Sequence, residues 1–200
     1  MTKLLKEALQ NRRSYYAIDK NIRLTHKEIK EIIDFAVKHV PSAFNSQSTR
    51  IVLLTGTHHT KLWEIAKETL RKLVPEKAFA QTQQKIDTCF SAGYGTVLFY
   101  EEQEVVENLQ KAFPLYQENF PGWSLQTSAM HQFAIWTMLE AAGLGASLQH
   151  YNPLIDEEVA KTWNIAPTWK LIAQMPFGNP TAEAGEKAFE PLDKRILSFE

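Results

Sequence analysis

Four short strand-like runs, each separated from the next by helical sequence, constrain this chain more than any other feature. RIVLLT (residues 50–55), TVLFYE (96–101), GASLQHY (145–151) and WKLIAQMPFG (169–178) read as strands. The clearest of the helices between and around them lies between Thr25 and Pro41. Thr25 and Glu28 form a T-x-x-E capping box. Ile29, Ile32, Ile33, Ala36, Val37 and Val40 then recur at helical spacing, and Pro41 stops the run. Leu4, Leu5, Ala8 and Leu9 mark a first helix ending near Asn11, and residues 59–73 and 76–90 read as two helices broken at Pro75. Residues 103–113 and 156–164 add two more, and 114–123 reads as a loop rich in aromatics and proline. Ser124 is placed to cap a long helix whose apolar positions include Leu125, Ala129, Phe133, Trp136 and Leu139, ending at Gly143. Few strands interleaved with helices predict an α+β fold, a small sheet covered by helices, in a single domain spanning 1–200. The polar tail from about 179 to 200 is expected to fray or to dock, and RILSF within it could add a strand to a partner's sheet.

Composition narrows the partners. A formal charge of -1 leaves no electrostatic footprint for nucleic acid or an anionic membrane surface. No apolar run approaches the roughly 20 residues of a membrane span. MTKLLKEALQNRRS carries charges where a secretory leader needs an apolar stretch, and Cys89 is the only cysteine. Together these predict a cytoplasmic protein with no internal disulfide and no cysteine-based metal site.

Several familiar chemistries fail on order or spacing. GLGASL (143–148) begins like a dinucleotide fingerprint, but Leu148 replaces its third glycine and the segment runs from helix to strand. No phosphate-cradling P-loop and no G-x-S-x-G elbow is present. His58-His59 reads as an exposed helix start, and His26, His39, His131 and His150 make no metal-ligand pair. Cys89 reads as a buried structural thiol.

Three polar clusters survive. Arg12-Arg13-Ser14 suits a phosphate, since guanidinium forks match its oxygens, although a solvated basic turn has the same composition. PSAFNSQSTR (41–50) carries Asn45 and Gln47, whose amides donate and accept at once and so suit a heterocycle edge; loop capping explains them as well. Lys194-Arg195 is a second cationic pair, which alone is an ordinary charged tail.

In order and at these spacings, NRRSYY, PSAFNSQSTR, EAAGLGASLQHYNP (140–153), QMPFGNP (174–180) and PLDKR (191–195) resemble the nitroreductase family of FMN flavoproteins. More closely, they resemble the subgroup related to the yeast fatty-acid-repression-mutant protein. The resemblance spans about residues 5–197. It implies a nitroreductase-like fold and a homodimer with two FMN sites at the subunit interface, where the tail docks. Arg12, Arg13 and Ser14 then match contacts to the flavin phosphate and ribityl chain. Ser42, Asn45 and Gln47 match the loop that the partner brings, Gln149 and His150 lie beside the flavin N5, and Arg195 with Lys194 matches a C-terminal phosphate-binding cation. Phe113, Tyr116, Phe120 and Trp123 fall where the family lines its substrate pocket, a core or dimer role being the alternative. NAD(P)H as donor, nitroaromatic or quinone acceptors and ping-pong hydride transfer through N5 complete the implied activity, with no catalytic side chain and no metal. Two departures from the broader family, Gln149-His150-Tyr151 in place of an acidic residue and glycine, and Ser48-Thr49 in place of proline and an aromatic, fit the subgroup. They also leave open an alternative, an FMN-binding regulator with little turnover, linked to lipid signalling or oxidative stress.

Overall fold

The computed structural model describes residues 5–200; Leu4, expected in the first helix, lies outside the described residues. The elements follow in the order α1 (Leu5–Asn11), β1 (Ile18–Asp19), α2 (His26–His39), β2 (Thr49–Thr55), α3 (Thr57–Arg71), α4 (Glu76–Cys89), β3 (Gly95–Glu102), α5 (Gln103–Ala112), α6 (Phe120–Ala141), β4 (Gly145–Ala146), α7 (Asp156–Trp163) and β5 (Trp169–Pro180). The sheet order is β1-β5-β3-β2, with β4 also on β5, and every ladder is antiparallel. A parallel bridge joins Ser14 to Ala146 of β4.

Strand periodicity divides the core into two layers. On β3, Val97 and Phe99 face a layer closed by Ile29, Ile33 and Ala36 of α2 and by Ile135 and Leu139 of α6. Leu98 and Tyr100 face the opposite layer, with Leu62, Trp63 and Ala66 of α3, Ile86 of α4 and Val159 of α7. β5 would keep Leu171 on the same side as Ala173, Met175 and Phe177. A register shift opposite Phe99 and Tyr100 sends Leu171 to the second layer instead. α1 and α5 pack on α6. The expected α+β architecture is therefore present, with helices on both faces of the sheet.

Three expectations need correction. The 145–151 run forms a strand only over Gly145–Ala146, with one bridge from Gln149 to Gln174. The Gln174 side chain takes over where the ladder ends: its Oε1 accepts from the Tyr151 amide at 2.7 Å and its Nε2 donates to Asn152 Oδ1 at 3.1 Å. The long helix starts four residues before Ser124, with Pro121 in its first turn, because proline's missing N–H costs nothing there. Ser124 is buried and bonds a carboxylate. That helix also keeps only the C-terminal part of its expected apolar face: Leu139 is buried in the core and Trp136 packs half-buried against it. Leu125, Ala129 and Phe133 are exposed, whereas Ser124, Thr127, Ser128 and His131 are buried. No helix among the described residues is long and apolar enough to cross a membrane.

Candidate functional site

Arg12, Arg13 and Ser14 leave α1 and run to β4, where Ser14 bridges Ala146 and the Tyr15 amide donates to the Ala146 carbonyl at 3.0 Å. The Arg12 guanidinium lies 4.4 Å from the Trp136 ring centroid and 5.8 Å from that of Phe133. Its Nε is buried and has no hydrogen-bond partner among the described residues. Burial first, and the charge of Arg13 second, lower its pKa from the usual value. Two adjacent cations, one of them partly desolvated, form a pair that an anion would relieve. Arg13 lines a cavity of about 820 Å³ with Asn11, Tyr15, Glu140, Glu183 and Lys187, and donates a short hydrogen bond to the Gly185 carbonyl. The tail therefore closes over the end of α1 near residues 183–189. Lys194 and Arg195 lie further on, exposed in a 3-10 turn, and neither side chain bonds to a described residue.

Gln149 pairs with β5. Its backbone exchanges hydrogen bonds with Gln174 at 2.7 and 2.9 Å, and its side chain donates to Ser147 Oγ at 3.0 Å. His150 is exposed. One chain thus brings the Arg12–Ser14 segment, through Ser14 on β4, and Gln149, on β5, to the same side of the sheet.

The 41–50 loop lies elsewhere, at the head of β2 on the opposite edge of the sheet. Its backbone is unusual. Phe44, Asn45 and Gln47 all have positive φ (55°, 51° and 48°), each costing about 1 kcal/mol for a residue with a side chain. Ser42 supports the turn: its Oγ accepts from the Gln47 amide at 2.9 Å, and its carbonyl from the Asn45 amide at 2.9 Å. Asn45 and Gln47 point no side-chain bond at described residues and are exposed. Phe44 stands among the aromatics of the 113–123 segment, with ring centroids 4.8 Å from Phe113, 5.9 Å from Tyr116, 5.3 Å from Phe120 and 6.0 Å from Trp123. Phe120 is buried within this cluster, whereas Phe113 and Tyr116 remain open to solvent.

One group escaped the sequence reading. Glu101 is only 1% exposed, and its carboxylate accepts from Ser48 Oγ (2.6 Å) and Ser124 Oγ (2.7 Å) on Oε2 and from Thr49 Oγ1 (2.6 Å) on Oε1. His131 Nδ1 lies 2.9 Å from the Thr127 carbonyl and 3.2 Å from Thr49 Oγ1. A carbonyl only accepts, so Nδ1 carries the proton. The available signal was an acidic residue inside an otherwise apolar strand run. Its hydroxyl partners stand 52, 53 and 23 residues away, beyond the reach of pattern reading.

His59 corrects another expectation. His58 is exposed, but His59 is 2% exposed and closes a polar chain inside the second layer. Trp63 Nε1 donates to Thr96 Oγ1 at 3.0 Å, Thr96 Oγ1 meets His59 Nδ1 at 2.9 Å, and His59 Nε2 reaches the Ser91 carbonyl at 3.3 Å. These partners suit a neutral ring, and burial lowers its pKa to about 4. Cys89 is half-buried at the rim of the same layer.

Comparison with known proteins places this geometry among relatives. The sequence model of the Nitroreductase family matches residues 9–179. The chain is 34% identical over 194 residues to HBN1 of Saccharomyces cerevisiae, covering 96% of each protein. It is 32% identical over 184 residues to the nitroreductase FRM2 of the same yeast, covering 91% of each. Its structure is similar to that of nitroreductase CinD from Lactococcus lactis in complex with nicotinic acid, with a TM-score of 0.91 and 45% identity across 98% of this chain and 100% of that one. CinD complexes with chloramphenicol and with 4-nitrophenol give TM-scores of 0.90 and 0.89.

Proposed function

The chain belongs to the nitroreductase family, and on that premise we propose that it is an FMN-dependent NAD(P)H oxidoreductase that reduces nitroaromatic and quinone acceptors. The observation that carries this reading is the likeness to CinD along nearly the whole chain, because CinD was solved with nicotinic acid, chloramphenicol and 4-nitrophenol, all ring compounds. Two are nitroaromatic, and the third has the ring of a nicotinamide.

The residues present suit FMN. Arg12 and Arg13 would hold the phosphate, whose charge relieves the crowded guanidiniums and gives the orphaned Arg12 Nε an acceptor. Ser14 would bind the ribityl chain, and Gln149 with His150 would border the N5 edge. When bound, FMN would supply the two-electron redox chemistry between NAD(P)H and the acceptor. The protein's part is binding, orientation and exclusion of water. Asn45 and Gln47 offer donors and acceptors to the ring edge, and Phe113, Tyr116 and Trp123, with Phe120 buried behind them, offer an aromatic surface to an aromatic acceptor.

The site then takes two copies of the chain. Arg12–Ser14 and Gln149 lie on the β4–β5 side of the sheet, while Ser42, Asn45 and Gln47 stand at the β2 edge. A second copy brings its loop to the first copy's arginines. The apolar exterior of α6, with Leu125, Met130 and Phe133 exposed, suits burial in such a dimer. So does the tail, which exposes Phe189, Leu192, Ile196, Leu197 and Phe199 and would dock on the partner, bringing Lys194 and Arg195 to its flavin phosphate. A cytoplasmic setting accompanies this reading.

The test is the visible spectrum of the purified protein before and after anaerobic NADPH. Flavin absorbance should bleach, and 4-nitrophenol or a quinone should restore it. Absorbance that persists would turn the reading toward a flavin-binding regulator. A colourless protein that takes up no added FMN would end both.

A further inference from the structure

Glu101 is a buried carboxylate held by three hydroxyls and, among the described residues, by no cation. Each hydroxyl has one proton and gives it to the carboxylate, forming short charge-assisted bonds. The three donors belong to two different segments. Ser48 and Thr49 are the exit of the 41–50 loop, where the Ser48 carbonyl also accepts from the Glu102 amide at 2.9 Å. Ser124 belongs to α6 and follows Trp123 directly. Glu101 thus ties the backbone immediately after Gln47 to the helix carrying Phe120 and Trp123. Phe44, packed on those two rings, closes the same loop from its other side.

This arrangement has a mechanical consequence. Three positive-φ residues in a loop of exposed side chains do not hold their conformation by local preference. Ser42 holds the turn from within and Arg50 Nη1 donates to the Gln47 carbonyl at 2.7 Å, while the points that tie the loop to the aromatic segment are Phe44 at one end and Ser48-Thr49 at the other. Both lead to the aromatic segment, one through ring contacts and one through Glu101.

We propose that Glu101 is a positioning residue, whose buried carboxylate locks the 41–50 loop to the start of α6 and so sets Asn45 and Gln47 for the flavin against the aromatic surface. The assignment rests on the flavin reading of that loop. Glu101 touches neither cofactor nor substrate in it. It acts through Ser48, Thr49 and Ser124.

Glu101→Gln keeps the shape but replaces an acceptor oxygen with an NH₂ donor, so at least one hydroxyl must reverse. Ser48→Ala removes a single arm and leaves the carboxylate two donors, which serves should the first variant fail to fold. Ser48→Thr restores the hydroxyl. The experiment measures two quantities: FMN affinity, by titrating apo-protein and following flavin fluorescence, and amide hydrogen exchange of residues 42–47 without flavin. Losing one hydrogen bond to a charged group should weaken FMN binding by about tenfold. Exchange in 42–47 should rise by a similar factor while that of β3 stays close to wild type, and Ser48→Thr should behave as wild type in both. Variants that unfold more easily but bind FMN with wild-type affinity and exchange normally in 42–47 would overturn the assignment. A wild-type protein that takes up no flavin would bring down the reading of the site, and this assignment with it. Wild-type binding with unmoved variants would remove Glu101 alone.

Discussion

His59 shows how one side chain's environment becomes a pH dependence. Its folded pKa, about 4, lies below the ordinary histidine value of 6.5. Between those values the unfolded chain takes up a proton that the folded chain refuses. Stability from this group is therefore fully present above about pH 6.5 and is lost as pH falls toward 4, by up to about 3 kcal/mol. Denaturant unfolding at a series of pH values should show that slope, and His59→Gln, which cannot titrate, should flatten it. Gly178 is a second single-residue constraint. A Cβ there would run into the Asp19 carbonyl oxygen and come within 3.2 Å of the Gly93 Cα, both backbone atoms that cannot rotate away. Gly178→Ala should cost about 2 kcal/mol or more in equilibrium unfolding, because the β1–β5 junction must open to accommodate it.

Among the elements, α2 is the one whose local signals and packing agree best: Ile29, Ile33 and Ala36 are buried as its spacing predicts, and of its expected apolar positions only Val37 is exposed. Thr25 Oγ1 accepts from the Glu28 amide at 3.3 Å, and Glu28 Oε2 accepts from the Thr25 amide at 2.7 Å, so both halves of the capping box are made. Thr25→Ala should lower stability by about 1 kcal/mol, measurable as a fall of a few degrees in Tm. α6 behaves differently. Its apolar residues are spread around the helix, so periodicity does not say which side faces inward: of the expected apolar positions Leu125, Ala129 and Phe133 are exposed, Trp136 is half-buried and Leu139 is buried. The buried polar side is held by bonds such as Ser124 to Glu101 and Gln132 Nε2 to Ser128 Oγ at 3.1 Å. In a dimer, a helix can bury polar groups against its own chain and present apolar ones to a partner. Phe133→Glu should therefore weaken self-association while leaving the far-UV spectrum intact, and sedimentation velocity would show the shift toward monomer.

For the whole molecule, the tail decides the outcome. If residues 190–200 dock on a second copy, removing them should lower both dimer affinity and FMN retention, while the two core layers, which end at β5, remain folded. A truncated protein that stays dimeric and keeps its flavin would remove the tail, with Lys194 and Arg195, from the site. The strand runs at 50–55, 96–101 and 169–178, the capped α2 and the α+β class were legible in the sequence, because each rests on local periodicity and on residues that start or stop an element. Arg12-Arg13-Ser14 and the 41–50 loop were legible as unusual concentrations of polar groups, and their order along the chain carried the family resemblance. Their separation across the sheet was not legible, since it depends on strand order. The Glu101 and His59 networks were equally hidden. Their members meet only after β3 is buried between two helical layers, and burial is what turns an ordinary carboxylate or imidazole into a group that must find partners or change its protonation. Sequence alone determined most of the elements and the fold class; tertiary structure decided the two-residue strands β1 and β4, which residues of α6 turn outward and which polar side chains are sealed inside, because these depend on contacts between residues far apart in the chain.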